Sequence, residues 1–148
     1  MEIETKSLHQ AAISRILTRA LELFRNGEGW TKGEYARDAN GNGTSPTTAD
    51  YYPSPVCFCS VGAIERAMHE LYPDATIEGE SSRSLNSPWN VVRLRSIFTV
   101  KQAACTRKSE VNKDFNGSLI EFNDHPETTF EDIRLAFTDA VAGLSEGN

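Results

Sequence analysis

Val56-Cys57-Phe58-Cys59-Ser60-Val61-Gly62-Ala63-Ile64-Glu65-Arg66-Ala67-Met68-His69-Glu70-Leu71 passes from an apolar, cysteine-bearing lead into a pattern of helical period. Val61, Ile64, Ala67, Met68 and Leu71 recur at spacings of three and four, which on a helix lines them along one buried stripe. Pro73 then stops the helix, because proline brings no backbone N–H and clashes with the preceding turn. The lead through Cys59 reads as extended and strand-like, and Gly62 permits another segment to approach the first turn closely. The stretch therefore predicts a strand-to-helix junction with a thiol at the mouth of the helix.

Upstream, Ser7 and Gln10 have the form of a capping box, and Ile13, Ile16, Leu17, Ala20, Leu21 and Phe24 follow at helical spacing. Asn26-Gly27 supplies the stop, since glycine accepts the left-handed conformation beyond a helix end. Trp30 to Arg37 alternates loosely and predicts a short strand or an ordered arm. Asp38 to Pro55, rich in Asn, Gly, Thr, Ser and Pro, predicts a long loop, and loops of that length inside a domain are more often functional than idle.

Downstream, Asp74 to Asn86 reads as a polar surface excursion. Ser87-Pro88 opens a third helix by the N-cap and first-turn proline rule, with Val91, Leu94, Ile97 and Phe98 as the expected inward side. Ser118 to Phe122 is short enough for a strand or an extended lead-in. Thr128 and Glu131 form a second capping box before Phe130, Ile133, Phe137, Ala140, Val141 and Leu144. The expected fold is a helix-rich α+β domain spanning residues 1–148, with about four helices and two or three short strands; a purely helical domain is the alternative.

With 39% hydrophobic and 24% charged residues, the chain has the composition of a folding globular protein rather than of a disordered or fibrous one. A formal charge of -6 opposes general binding to nucleic acid, which needs Lys and Arg gathered on one face. The basic interval from Arg93 to Lys113 reads as a solvated helix face, with a surface facing an acidic partner as the alternative. Met1-Glu2-Ile3-Glu4 lacks the basic and apolar regions of a signal peptide, and no apolar run reaches transmembrane length, so a cytoplasmic protein without membrane contact is expected. Three cysteines, two of them too close to bridge easily, predict reduced thiols.

Cys59 at a helix start is a candidate nucleophile, because unpaired N–H groups there favour thiolate. Of the three histidines, His9 and His69 belong to helices, which leaves His125 as the candidate base with Asp124 or Asn123 as its orienter. The competing reading makes Cys57 and Cys59 small buried hydrophobes. Zinc is disfavoured, since C-x-C with a distant Cys105 or His125 lacks paired ligand spacing. Asp38-Ala39-Asn40-Gly41-Asn42-Gly43 matches the opening of a calcium loop, but its twelfth position is Ala49 where a bidentate Glu is required, which favours a plain turn. No metal or cofactor is expected. Asn123-Asp124 reads either as the polar fixture of a turn or as part of a site. Trp30, Tyr35, Tyr51 and Tyr52 flank the long loop and pack on the core or offer a stacking surface.

Gly29-Trp30-Thr31-Lys32-Gly33-Glu34-Tyr35-Ala36-Arg37-Asp38-Ala39-Asn40-Gly41, Phe58-Cys59-Ser60-Val61-Gly62-Ala63-Ile64, and Phe122-Asn123-Asp124 with Thr128-Thr129 beyond together resemble a family of small proteins of unknown function from bacteriophages and actinobacteria. That family usually has Trp before the cysteine and before Asn-Asp, where this chain has Phe58 and Phe122. The resemblance carries no activity; it implies a phage or phage-influenced bacterial setting and singles out Trp30, Arg37, Asp38, Cys59, Gly62, Asn123 and Asp124. His125 lies outside the pattern, which weighs against a Cys-His enzyme. The favoured expectation is a non-catalytic binding protein that holds a host protein or small ligand through Trp30, Tyr35, Arg37, Asp38, Asn123 and Asp124, for example to inhibit a host defence. The alternative is a hydrolase or transferase using Cys59, His125 and Asp124.

Overall fold

In a computed structural model, residues 2–47, 54–73, 76–77, 80–81, 87–106 and 117–146 are described. The first helix, α1 (Glu2–Leu23), buries Ala12, Ile13, Ile16, Leu17 and Ala20, the stripe its spacing predicts. It begins before the expected cap, so Ser7 lies inside the helix. Its exit is a 3-10 turn over Arg25–Gly27 in which Arg25, Asn26 and Gly27 all take positive φ. Only glycine adopts that region without strain, and the turn is held by Arg25 Nη2 donating to the Val56 carbonyl at 3.0 Å.

The chain then forms a small antiparallel sheet of β1 (Ala36–Arg37), β2 (Gly43–Thr44) and β3 (Cys57–Phe58), in the order β2-β1-β3. Ala36 pairs with Thr44 on one side and Phe58 on the other, and Trp30 makes a separate bridge to Phe58. This sheet excludes the purely helical alternative. Part of the expected 38–55 loop is therefore ordered as β2, while Tyr51, Tyr52 and the closing positions of the calcium pattern, Ala49 and Asp50, lie outside the described residues.

Helix α2 (Ser60–Leu71) follows β3 and buries Val61, Ile64, Ala67 and Met68. Leu71, read as part of the same stripe, is instead exposed in the last turn. A hairpin of β4 (Thr76–Ile77) and β5 (Glu80–Ser81) lies in the excursion before α3 (Pro88–Thr106). Ser87 caps α3, its hydroxyl accepting from Asn90 N at 3.3 Å.

The inward face of α3 differs from the expected one. Val92, Ser96, Val100 and Ala104 are buried, whereas Leu94 is 57% and Phe98 54% exposed. Apolar residues occur around the whole of this helix, so spacing alone does not choose the face. The smaller side chains take the inside, where α3 packs against α1 and α5.

Ser118 to Phe122 is helical rather than extended. Helix α4 (Leu119–Asp124) starts at a capping box in which Ser118 Oγ accepts from Glu121 N and the Glu121 carboxylate accepts from Ser118 N. The box stabilises a helix that is only 6 residues long, and Leu119 and Phe122 bury its apolar side. The last helix, α5 (Phe130–Glu146), is capped one residue later than expected: Thr129 Oγ1 accepts from Asp132 N, and Asp132 Oδ2 from Thr129 N. Ile133, Phe137 and Ala140 are buried as their spacing predicts, with Phe130, Val141 and Leu144 packed beside them.

The core lies where α1, α2, α3 and α5 meet. Phe24 stands edge-on to Phe130 at 5.7 Å and to Phe137 at 5.3 Å between ring centres. Phe24 and Phe137 are fully buried, and a ring so buried contributes about 1.5–3 kcal/mol of hydrophobic stabilisation. Arg19 of α1 and Arg66 of α2 both bind Glu70, at 2.8 and 2.9 Å. Burial raises the Glu70 pKa, but the hydrogen bonds from Arg19 and Arg66 outweigh it and hold the carboxyl below its ordinary range. The fold is thus α+β and helix-rich, with five helices among the described residues.

Candidate functional site

Three segments that are distant in sequence converge on Asn123, whose side chain is completely buried at the end of α4. Asn123 Oδ1 accepts from Trp30 Nε1 at 2.8 Å, from Ser60 N at 2.9 Å and from Ser60 Oγ at 2.7 Å. Its Nδ2 donates to the Thr31 carbonyl and to Asp124 Oδ1, each at 3.0 Å. One carboxamide therefore ties the arm after α1, the first turn of α2 and α4 together. Only an amide offers an acceptor and two donors in this geometry.

The arm is held by further bonds to the same end of α4. Gly33 N donates to Asp124 Oδ1 at 3.0 Å, and Lys32 Nζ donates to the His125 carbonyl at 2.6 Å while lying 5.5 Å from the Trp30 ring centre. Arg37 is taken up within the arm, donating to Thr31 Oγ1, the Lys32 carbonyl and the Gly41 carbonyl at 2.9, 2.9 and 3.0 Å. Asp38 is buried, and its Oδ1 accepts from Asn40 N and Asn42 N at 2.9 and 3.0 Å, closing a tight turn at Gly41 with φ of 83°. Trp30, Arg37, Asp38 and Asn123 thus have their polar groups engaged inside the protein.

Cys59 is the N-cap of α2, with Sγ accepting from Gly62 N at 3.3 Å and its own N–H donating to the Tyr35 carbonyl at 3.1 Å. The residue is 4% exposed. Desolvation raises the thiol pKa; N–H groups of Gly62 and Val61 pull the other way, and the nearby Asp124 and Glu65 carboxylates raise it further. The helix start therefore fails to produce a thiolate, since burial and acidic neighbours outweigh its partial positive charge.

His125 caps the end of α4, and its Nδ1 accepts from Glu127 N at 3.1 Å. No hydrogen bond joins it to Cys59 among the described residues. Asp124, by contrast, shares with Cys59 a pocket of about 180 Å³ that is also lined by Gly33, Glu34, Tyr35 and Ile120. Tyr35 is 48% exposed there. The Asp124 Oδ2 and the Glu34 carboxylate have no partner among the described residues.

Glu34, Ile120 and Ser60 are the participants that reading the sequence did not single out. The Ser60 hydroxyl beside the cysteine was a usable signal; Ile120 was not, because its position depends on α4 being helical. Among the described residues, no group of three or more His, Cys, Asp or Glu side chains is placed to hold a metal ion. No helix among them is long and apolar enough to cross a membrane.

The site and fold define a helix-rich α+β protein with a hydrogen-bonded clasp beneath a small acidic pocket. A model of a family of unknown function, DUF6197, matches residues 9–143, and the chain belongs to that family. No curated protein and no solved structure matches it.

Proposed function

We propose that the chain is a non-catalytic binding protein that holds a partner protein or small ligand of its host cell at the pocket of Gly33, Glu34, Tyr35, Ile120 and Asp124. Inhibition of a host defence is one such role, in keeping with the resemblance to phage proteins. The observation that carries this reading is a division of labour: Asn123, Arg37 and Asp38 are engaged in scaffolding, while Tyr35, 48% exposed, lines a formed concavity together with Glu34, Ile120 and Asp124. Aromatic surface with a few fixed polar groups is the usual make-up of a recognition site. A cysteine enzyme needs an activated thiol and a base in reach, and the raised Cys59 pKa and the engaged His125 Nδ1 favour the binder.

The test is affinity capture from a host lysate with the wild-type chain, Tyr35→Ala and Asp124→Asn, followed by mass analysis of proteins and small molecules. A species retained by the wild type and lost from both variants is expected. Identical capture by all three proteins sinks the assignment to this pocket.

A further inference from the structure

We infer that a second pocket, between the end of α2 and the start of α3, binds a small planar aromatic molecule carrying an anionic group. Its volume is about 440 Å³, within the few-hundred-Å³ range of small-molecule sites. Among the described residues it shares no lining residue with the pocket at Cys59. Its lining includes Trp89 and Tyr72, two partly buried rings, and Met68, which is fully buried. Aromatic rings and a thioether offer polarisable apolar surface suited to a planar ligand.

The polar groups of this pocket set the charge of the ligand. Arg93 is paired with Glu65, with Nε 3.5 Å from Oε2, and its guanidinium makes no side-chain hydrogen bond within the usual distance and angle among the described residues. Neither the Trp89 indole N–H nor the His69 ring has one there either. Arg15 donates to the Tyr72 hydroxyl at 2.9 Å, which holds that ring and places another guanidinium beside it. Against these donors stands one lining carboxylate among the described residues, Glu65, already paired with Arg93. An anionic oxygen group on the ligand would meet the open fork of Arg93, where paired N–H donors match a carboxylate or sulfonate.

The probe pair 1-anilinonaphthalene-8-sulfonate and N-phenyl-1-naphthylamine tests this, since the two share their rings and differ in the sulfonate. Fluorescence titration of the folded chain is expected to show one saturable site for the sulfonate and at least about tenfold weaker binding of the uncharged probe. Arg93→Gln is expected to weaken the sulfonate by about tenfold or more, and Arg93→Lys by less, because lysine keeps the charge and loses the fork. Arg95→Gln, on an exposed part of the same helix, and Tyr35→Ala, at the other pocket, leave binding unchanged. Equal affinity for the two probes, full affinity in Arg93→Gln, or no binding of either probe overturns the proposal. Far-ultraviolet circular dichroism and a urea midpoint establish that each variant is folded; should Arg93→Gln fail to fold, Arg93→Lys and the probe comparison on the wild type still decide.

Discussion

At the scale of single residues, Asn123 and Gly62 carry the junction that positions the pocket. Asn123→Ala leaves the Trp30 and Ser60 donors and the Thr31 carbonyl without their partner in a buried place. Each orphaned group costs about 1–3 kcal/mol, so urea denaturation is expected to show a loss of about 3 kcal/mol or more. Gly62 is a sharper case because the sign of its effect is diagnostic. In an exposed helix, Gly→Ala stabilises by about 1 kcal/mol. Here an added Cβ would stand 1.9 Å from the Tyr35 carbonyl oxygen, which is backbone and also accepts from Cys59 N. Gly62→Ala is therefore predicted to destabilise by about 2 kcal/mol, and a higher urea midpoint for the variant would contradict the close approach of arm and helix.

At the scale of elements, α3 and α4 mark what could be read in the sequence and what could not. The stripes of α1, α2 and α5 are regular enough that period alone places Ile16, Ile64 and Phe137 in the core. In α3 that signal is ambiguous, and a serine occupies the inner face because Ser96 Oγ bonds the Val92 carbonyl at 2.7 Å and so meets its own need for a partner. Ser96→Leu is expected to overpack the α1–α3–α5 contact and cost about 1–3 kcal/mol, while Leu94→Gln stays within about 0.5 kcal/mol of wild type. Thermal denaturation of the two variants reads this directly; the opposite order would restore the face first expected. For α4, the decisive signal was Ser118 three residues before Glu121, a capping box present in the sequence, but five apolar-leaning residues are also the length of a strand.

At the scale of the molecule, Trp30 and Thr31 of the arm, Ser60 of α2 and Asn123 of α4 gather from three segments into one clasp, and the pocket lies at its surface. The resemblance to a family singled out Trp30, Arg37, Asp38, Cys59, Gly62, Asn123 and Asp124 as a set, but no spacing rule reveals that Asn123 binds both Trp30 and Ser60, because those contacts depend on the tertiary fold. Nor does position at a helix start decide the state of Cys59, which is set by burial and by Asp124 and Glu65. A thiol pKa raised on folding means that the folded state keeps its proton longer than the unfolded one. Its contribution to stability is therefore complete below the free-thiol value of about 8.5 and is lost as pH rises from there through the folded pKa, a dependence that Cys59→Ala removes. The pH profile of Cys59 alkylation by iodoacetamide in the folded protein, followed at that site by mass spectrometry, reads the state of this thiol. Slow modification with an apparent pKa above about 8.5 is predicted. Rapid modification with an apparent pKa of about 7 or lower would mark an activated nucleophile and contradict this.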